Sequence, residues 1–316
     1  MTSEISYTTE EIAKLLKISK LTVYDLIKKG ELPSYRVGKQ MRVDASDLEA
    51  YKQRAKGHHR TDLSAATAHA APANRQAAGI SASTIVITGQ DISLDILSKH
   101  IERHIPGYRP LRAYVGSMDS LVSMYRGESD IVSTHLLDGD TGEYNLPYIR
   151  KLFVGSSYMV VNLLARHAGF YVQQGNPLRI QSWEDVSRPG VRLVNRERGS
   201  GARVLLDEQL RLRGIAPHQL DGYANEQTNH LGVASQVAMG EADVGVGIEK
   251  AASIVGQVDF IPLIQERYDL VVMKNNETLA WLPAFLNILR SEAFKKELQA
   301  ISGYDLSRTG EILFET

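Results

Sequence analysis

Residues 57–83 decide how this chain can be organised. Nine of these 27 residues are alanine, Pro72 and Gly79 lie among them, and large apolar side chains are nearly absent. Such a stretch cannot bury enough surface to join a core, so it reads as a linker. Part of it could be helical, because alanine is the best helix former. The 316-residue chain is therefore divided into a head, 1–56, an Ala-rich linker, 57–83, and a body, 84–316. Charge divides the same way. The head holds eleven Lys/Arg against eight Asp/Glu, a net +3, and the remainder holds 25 against 29, a net −4. A basic head on a mildly acidic body suggests separate tasks.

Composition removes several chemistries. With no cysteine, disulfides, thiolate catalysis, Cys-ligated zinc and iron–sulfur clusters are excluded. No apolar run approaches 18 residues, so no spanning helix is expected. Met1-Thr2-Ser3-Glu4-Ile5 has neither a basic nor an apolar leader region, so a cytoplasmic protein is expected.

In the head, Thr8 and Glu11 have the spacing of a capping box, with Ile12, Leu15 and Leu16 at helical spacing behind them. Lys17-Ile18-Ser19 reads as a tight turn. Ser19 is placed to cap a second helix that buries Val23, Leu26 and Ile27 and ends at Gly30. Leu32 to Val37 and Met41 to Val43, across Gly38, read as a β-hairpin, and Asp44 caps a last helix through Leu48 and Tyr51. Two short helices and a hairpin predict a helix-turn-helix with a wing. Lys20, Thr22, Tyr24 and Lys28 fall on the open side of the second helix, and Arg36, Lys39, Gln40 and Arg42 on the hairpin. These are the expected DNA contacts. The cations suit phosphates, and Thr22, Tyr24 and Gln40 suit base edges. The runs Tyr7-Thr8-Thr9-Glu10-Glu11-Ile12-Ala13, Gly30-Glu31-Leu32-Pro33 and Arg36-Val37-Gly38 through Arg42-Val43 resemble the excisionase and MerR-like winged helix-turn-helix family over about 50 residues.

From residue 84 strand and helix signals alternate, which predicts a mostly parallel, doubly wound α/β sheet. Asp91-Ile92-Ser93, Gly116-Ser117 and Gly199-Ser200-Gly201 fall at strand-to-helix turns. Each can present backbone N–H groups and a hydroxyl to an anion. The last 40 residues read as helical and are expected to pack on the first lobe. The body's motifs include Gly116-Ser117, Gly127-Glu128-Ser129-Asp130-Ile131, Asn195 through Arg203, Gly240 through Ile248 and Glu266-Arg267-Tyr268. They resemble the two-lobed type 2 periplasmic-binding-protein fold, in the branch fused to DNA-binding heads in regulators and related to molybdate and tungstate binding proteins. The resemblance implies two lobes closing on a ligand. Carried over by motif position, Ser93, Ser117, Ser200, Gly201 and the Val246-Gly247 backbone are the expected ligand contacts. Arg196, Arg198, Arg203, His135, Glu143, Tyr144, Asn145 and Glu226 add charge and size near the cleft that a bare oxyanion does not need, which keeps a larger or organic anion open as the alternative.

Other constellations are weaker. His100 and His104 could share a helix face, but with no third ligand in view they read as solvent-exposed. Trp183 and Trp281 read as packing. Gly199-Ser200-Gly201 is not a hydrolase elbow, and no P-loop sequence is present. His135 with Glu143 is the one acid–base pair on which an enzyme could be argued. The sequence therefore predicts a non-enzymatic, ligand-responsive transcriptional regulator. Double-stranded operator DNA is its expected partner, a homodimer its expected state because paired half-sites raise affinity, and molybdate or tungstate its expected effector. A regulator of an organic anion, an excisionase-like structural protein with an oligomerising body and an enzyme on the same fold are the alternatives.

Overall fold

The computed structural model describes residues 6–16, 20–28, 32–37, 40–55 and 83–316. The chain divides into two compact units, Met1–Gln76 and Ala77–Thr316. Ser19, Gly30 and linker residues 57–82 lie outside the described residues.

The head follows its local signals. Strand β1 (Ser6–Thr8) leads into α1 (Thr9–Leu16), followed by α2 (Lys20–Lys28), β2 (Tyr35–Val37), β3 (Gln40–Asp44) and α3 (Ala45–Ala55). The capping box forms: Thr8 N–H donates to Glu11 Oε2 at 2.8 Å, and Glu11 N–H to Thr8 Oγ1 at 3.3 Å. The hairpin pairs Tyr35 with Arg42 and Val37 with Gln40. Strand β1 is an addition to the sequence expectation. It pairs antiparallel with β3, Tyr7 opposite Val43, so the wing is three-stranded. Ile12, Val23, Leu32, Val43 and Leu48 form the core.

Two strands dominate the body. They are best seen in the full order: β4 (Ser83–Thr88), α4 (Ser93–His104), β5 (Tyr108–Ala113), α5 (Ser117–Tyr125), β6 (Ile131–Thr134), α6 (Leu146–Leu152), β7 (Tyr158–Gln173), β8 (Leu193–Arg196), α7 (Gly201–Leu212), β9 (Glu226–Gln227), α8 (His230–Ala238), β10 (Val244–Ile248), α9 (Glu249–Val255), β11 (Val258–Met273), α10 (Asn276–Leu279), α11 (Leu282–Arg290), α12 (Glu292–Gln299), β12 (Tyr304–Asp305) and β13 (Ile312–Glu315). β7 and β11 have 16 residues each, nearly three times the usual strand length. They pair antiparallel from Gln173–Val258 to Tyr158–Met273. One half of each belongs to the first lobe, with β4, β5 and β6. The other half belongs to the second, with β8, β9 and β10.

Each lobe has the expected doubly wound α/β pattern. The outer pairings, β4 with β5 and β6, and β8 with β9 and β10, are parallel. The central pairings through β7 and β11 are antiparallel, because the chain crosses between lobes twice in opposite directions. The C-terminal segment packs on the first lobe as expected: Phe285 and Phe294 join the core of Ile85, Leu94, Leu97 and Leu270. It also adds β12 and β13 to the edge of β7. Trp183 and Trp281 are buried in the cores. His100 corrects an expectation, because it is buried. Helix α12 covers it, and Nε2 lies 3.1 Å from Glu297. No helix among the described residues is long and apolar enough to cross a membrane.

Candidate ligand-binding site

The sheet topology brings the starts of several helices to one place. Gln90 to Ile92 precede α4, Val115 to Ser117 open α5, Ser200 and Gly201 open α7, and Asn229 to Leu231 open α8. Together with Ile248, Lys250, Ala251 and Ile254 they enclose a cavity of about 270 Å³ between the lobes. Its floor is made by the crossing strands, through Arg166 and Tyr268, with Ser133, His135 and Tyr304 beside them. Helix N-termini carry unsatisfied N–H groups and positive dipole ends.

Arg166 organises the floor. Its Nε donates to Glu266 Oε1 at 2.6 Å, and Nη1 pairs with Asp91. Its guanidinium lies 4.5 Å from the Tyr268 ring centre. Nη2 has no hydrogen-bond partner among the described residues, although the side chain lines the cavity. Asp91 also accepts from Ser93 N–H at 2.8 Å and from the Tyr304 hydroxyl at 2.6 Å. Glu266 Oε2 lies 3.1 Å from His135 Nδ1. Burial alone would raise the Glu266 carboxyl, but His135 and Arg166 outweigh it and hold it at about 2. Ser133 donates to Thr88 O at 3.2 Å, so at 2.6 Å from Tyr268 it is the acceptor of that hydroxyl. Burial, with Asp91 nearby, pushes the Tyr268 hydroxyl up to about 12.

The second lobe supplies Arg196, buried to 2% exposure. It grips Glu197 through Nε and Nη2, both at 2.7 Å. Nη2 also reaches Gln90 Oε1 of the first lobe at 2.7 Å. His230 Nδ1 is sealed and unpartnered among the described residues. Burial, then the charges of Arg196 and Arg166, holds this imidazole well below its ordinary value, so it is neutral. Lys250 has no carboxylate partner among the described residues. The lobes are in contact. Met118 N–H donates to Gly199 O at 2.9 Å, Gly139 N–H to Glu208 at 2.7 Å, and Arg211 pairs with Asp140 at 2.7 Å. Gly201 sits so close that a Cβ there would lie 2.3–2.6 Å from the His135 ring.

Of the residues expected from sequence, Ser117, His135, Ser200 and Gly201 line this cavity. The structure places the others elsewhere. Ser93, the first residue of α4, is fully buried and absent from the cavity lining, its Oγ without a partner among the described residues. Tyr144 is packed in the second apolar cluster. Arg198 points to solvent, 3.9 Å from Glu226. Arg203 is buried and holds Glu226, Asp207 and Arg196 O. Val246 and Gly247 are interior to β10, with Gly247 against the Tyr171 ring. Glu143 is exposed, and the carboxylate on His135 is Glu266. The hydroxyls also differ in what they can give. Ser200 Oγ donates to Glu197 O at 2.9 Å, whereas Ser117 Oγ accepts from His135 N–H at 3.3 Å and keeps its hydrogen for a ligand. Sequence reasoning missed Gln90, Arg166, His230, Lys250 and Tyr304. Arg166 left a signal, a charge inside a largely apolar run from Tyr158 to Val172. Tyr304 left none.

In the head, Lys20 is exposed and paired with Glu10. Tyr24, one helical turn on, is exposed. Arg42 is half-buried and donates to Ser6 Oγ at 3.1 Å. Lys39 and the side chains of Thr22, Lys28, Arg36 and Gln40 lie outside the described residues. Among the described residues no three His, Cys, Asp or Glu side chains converge to hold a metal.

Residues 98–290 match the family model of the PBP superfamily domain, the periplasmic-binding-protein group. The chain belongs to this PBP superfamily. Residues 6–56 match a helix-turn-helix domain. This PBP-superfamily chain is 51% identical to the uncharacterized protein YvgK of Bacillus subtilis (strain 168), over 100% of both chains. It is similar in structure to EhuB in complex with hydroxyectoine, with a TM-score of 0.52, 13% identity and coverage of 72% of this chain and 93% of that one. It is also similar to a candidate phosphate ABC transporter substrate-binding protein with bound phosphate from Clostridium perfringens, with a TM-score of 0.51, 14% identity and coverage of 69% and 97%. At these identities the likeness establishes the fold alone. The chain thus joins a helix-turn-helix DNA-binding domain to a PBP-like ligand-binding domain.

Proposed function

We propose that this protein is a cytoplasmic one-component transcriptional regulator that binds operator DNA as a homodimer and responds to a small anion held between its lobes. The observation that carries the reading is the convergence of four helix N-termini on the cavity that Arg166 and Lys250 also line. Such a site favours negative charge. It does so moderately, because Arg166 and Arg196 are already paired with Asp91, Glu266 and Glu197.

Molybdate or tungstate is the compact form of such an effector, facing Ser117 and Ser200. An organic anion is the larger form, and two features favour it. A tetrahedral oxyanion has five heavy atoms, whereas the cavity has room for roughly nine water volumes. Of the three serines expected to hold an oxyanion, Ser117 alone lines the cavity with a hydroxyl hydrogen to give. Effector binding regulates only if open and closed lobes bind DNA with different affinity. No turnover is assigned to the site.

The test is thermal unfolding of the full chain against molybdate, tungstate, sulfate, phosphate and small carboxylates, with operator binding measured beside it. An effector at 100 times its Kd adds about 2.7 kcal/mol to the domain that binds it. A selective shift with one anion, together with changed DNA affinity, supports a regulator. DNA binding indifferent to every anion, with no shift, sinks the reading in favour of a structural DNA-binding protein.

A further inference from the structure

The cavity has two chemically different ends. Its closed end is polar: Ser117, Ser133, His135, Arg166, Ser200 and Tyr268 are all at most 9% exposed. Its other end carries Ile92, Leu231 and Ile254, and these stay 49%, 42% and 59% exposed while lining the same space. They come from three elements: Ile92 from the turn before α4 in the first lobe, Leu231 from α8 and Ile254 from α9 in the second. Buried Ile248 and Ala251 continue the apolar wall inward. Three large apolar side chains left part-wet around one opening mark a surface that a ligand completes.

We infer that the effector is an amphipathic organic anion, a carboxylate whose charged group faces Ser117 and Arg166 Nη2 and whose apolar chain or ring leaves between Ile92, Leu231 and Ile254. The inference rests on the anion reading above and adds the class of ligand. The apolar end explains features that a compact oxyanion leaves unused: most of the cavity volume, and the exposed triad. Both lobes contribute to the triad, so an apolar chain seated there bridges them. A longer chain therefore favours closure as well as binding. Lys250, beside Ala251 at the same opening, attracts the anion on entry without being its final partner.

The experiment is titration calorimetry of the full chain at fixed ionic strength with acetate, butyrate, hexanoate and benzoate. 1-Hexanol is the neutral control and molybdate the compact anion. The expected result is affinity rising about fourfold per added methylene, the equivalent of about 0.8 kcal/mol. Hexanoate should bind more tightly than 1-hexanol and molybdate. The variants Leu231→Gln and Ile254→Gln, both at exposed positions, should flatten the chain-length dependence, lowering hexanoate affinity far more than acetate affinity. Acids that bind equally at every length, or long acids excluded while acetate or molybdate binds, would overturn the amphipathic ligand and leave the anion reading standing. 1-Hexanol binding as tightly as hexanoate, or no ligand binding at all, would overturn both.

Discussion

Arg166 and Arg196 are buried guanidinium groups that line one cavity, the first in its floor and the second in the second lobe, and they are held in different ways. Arg166 sits on the strand that both lobes share. Its partners Asp91 and Glu266 belong to the floor it stands on, and His135 and Tyr304 extend the network from the first lobe. Nothing in that network crosses the cleft, so none of its bonds is made by contact between the lobes. Arg196 stands on the second lobe and takes Glu197 from its own strand end, but its contact to Gln90 crosses the cleft. That contact exists only when the lobes meet. The floor is a prebuilt platform, and the Arg196 contact is a latch. A sensor needs both, because an effector changes an equilibrium only by contacts that differ between two states.

The contrast predicts that damage to the platform unfolds the domain, whereas damage to the latch uncouples it. Glu266→Gln is expected to have the largest effect, about 3–5 kcal/mol of lost stability, because it breaks a buried pair and leaves Arg166 under-compensated. Urea unfolding measures it. The same carboxyl gives a pH signature. Its value is depressed in the folded state, from 4.5 to about 2. Its contribution is therefore fully present above about pH 4.5 and is lost as pH falls through about 2. The stability gap between wild type and Glu266→Gln should narrow across that window. A gap that does not change with pH would mean that Glu266 is not an ionised member of the platform.

Gly201→Ala tests the latch at its tightest point. The added Cβ meets the His135 ring, which Glu266 holds in place. Closure should fail, with effector affinity lower by about tenfold or more, within the usual range of coupling energies. The unfolding transition without effector should stay near that of wild type. Full effector response in this variant would show that closure does not bring these two residues together. Gln90→Ala is milder. It removes the 2.7 Å hydrogen bond from Arg196 together with longer ones to Glu197 and Thr228 O at 3.4 and 3.3 Å. The bond to the Arg196 charge is worth about 1.5 kcal/mol, and its loss should weaken effector binding roughly tenfold without changing fold stability. A loss of stability instead would place Gln90 in the platform. The smallest effect is expected in the head, where the Lys20–Glu10 pair is exposed. Lys20→Ala should leave stability nearly unchanged and reduce the steepness of the log–log salt dependence of DNA binding by about 0.9, one phosphate contact. An unchanged slope would remove Lys20 from the DNA interface.

Much of the architecture was readable from local signals. The capping box at Thr8 and Glu11, the wing hairpin and the turns at Gly116-Ser117 and Ser200-Gly201 all lie where short-range pattern puts them. The crossing strand β7 was not read. Asn162, Arg166 and Gly169 interrupt its apolar pattern, and each is accommodated by something remote. Asn162 donates to Asp269, Arg166 meets Asp91 and Glu266, and Gly169 lies against the Ile261 carbonyl on β11. The oxyanion contacts were misplaced for a related reason. A motif names the turn but does not say whether its hydroxyl hydrogen is already donated, as that of Ser200 is to Glu197 O.

What the sequence by itself determined is therefore the division into a basic helix-turn-helix head and an α/β body, and the positions of three of the four helix starts that meet at the cavity. Those depend on caps, turns and periodicity, whose energies act over a few residues. Only the tertiary structure decided which charges at the site are neutralised and which donors remain. Arg166 finds one carboxylate 75 residues away and another 100 residues away, and Asp91 takes the hydroxyl of Tyr304 from 213 residues on. A buried charge must find its compensation within a few ångströms of space. The fold brings those partners near, and their separation in the chain carries no trace of it.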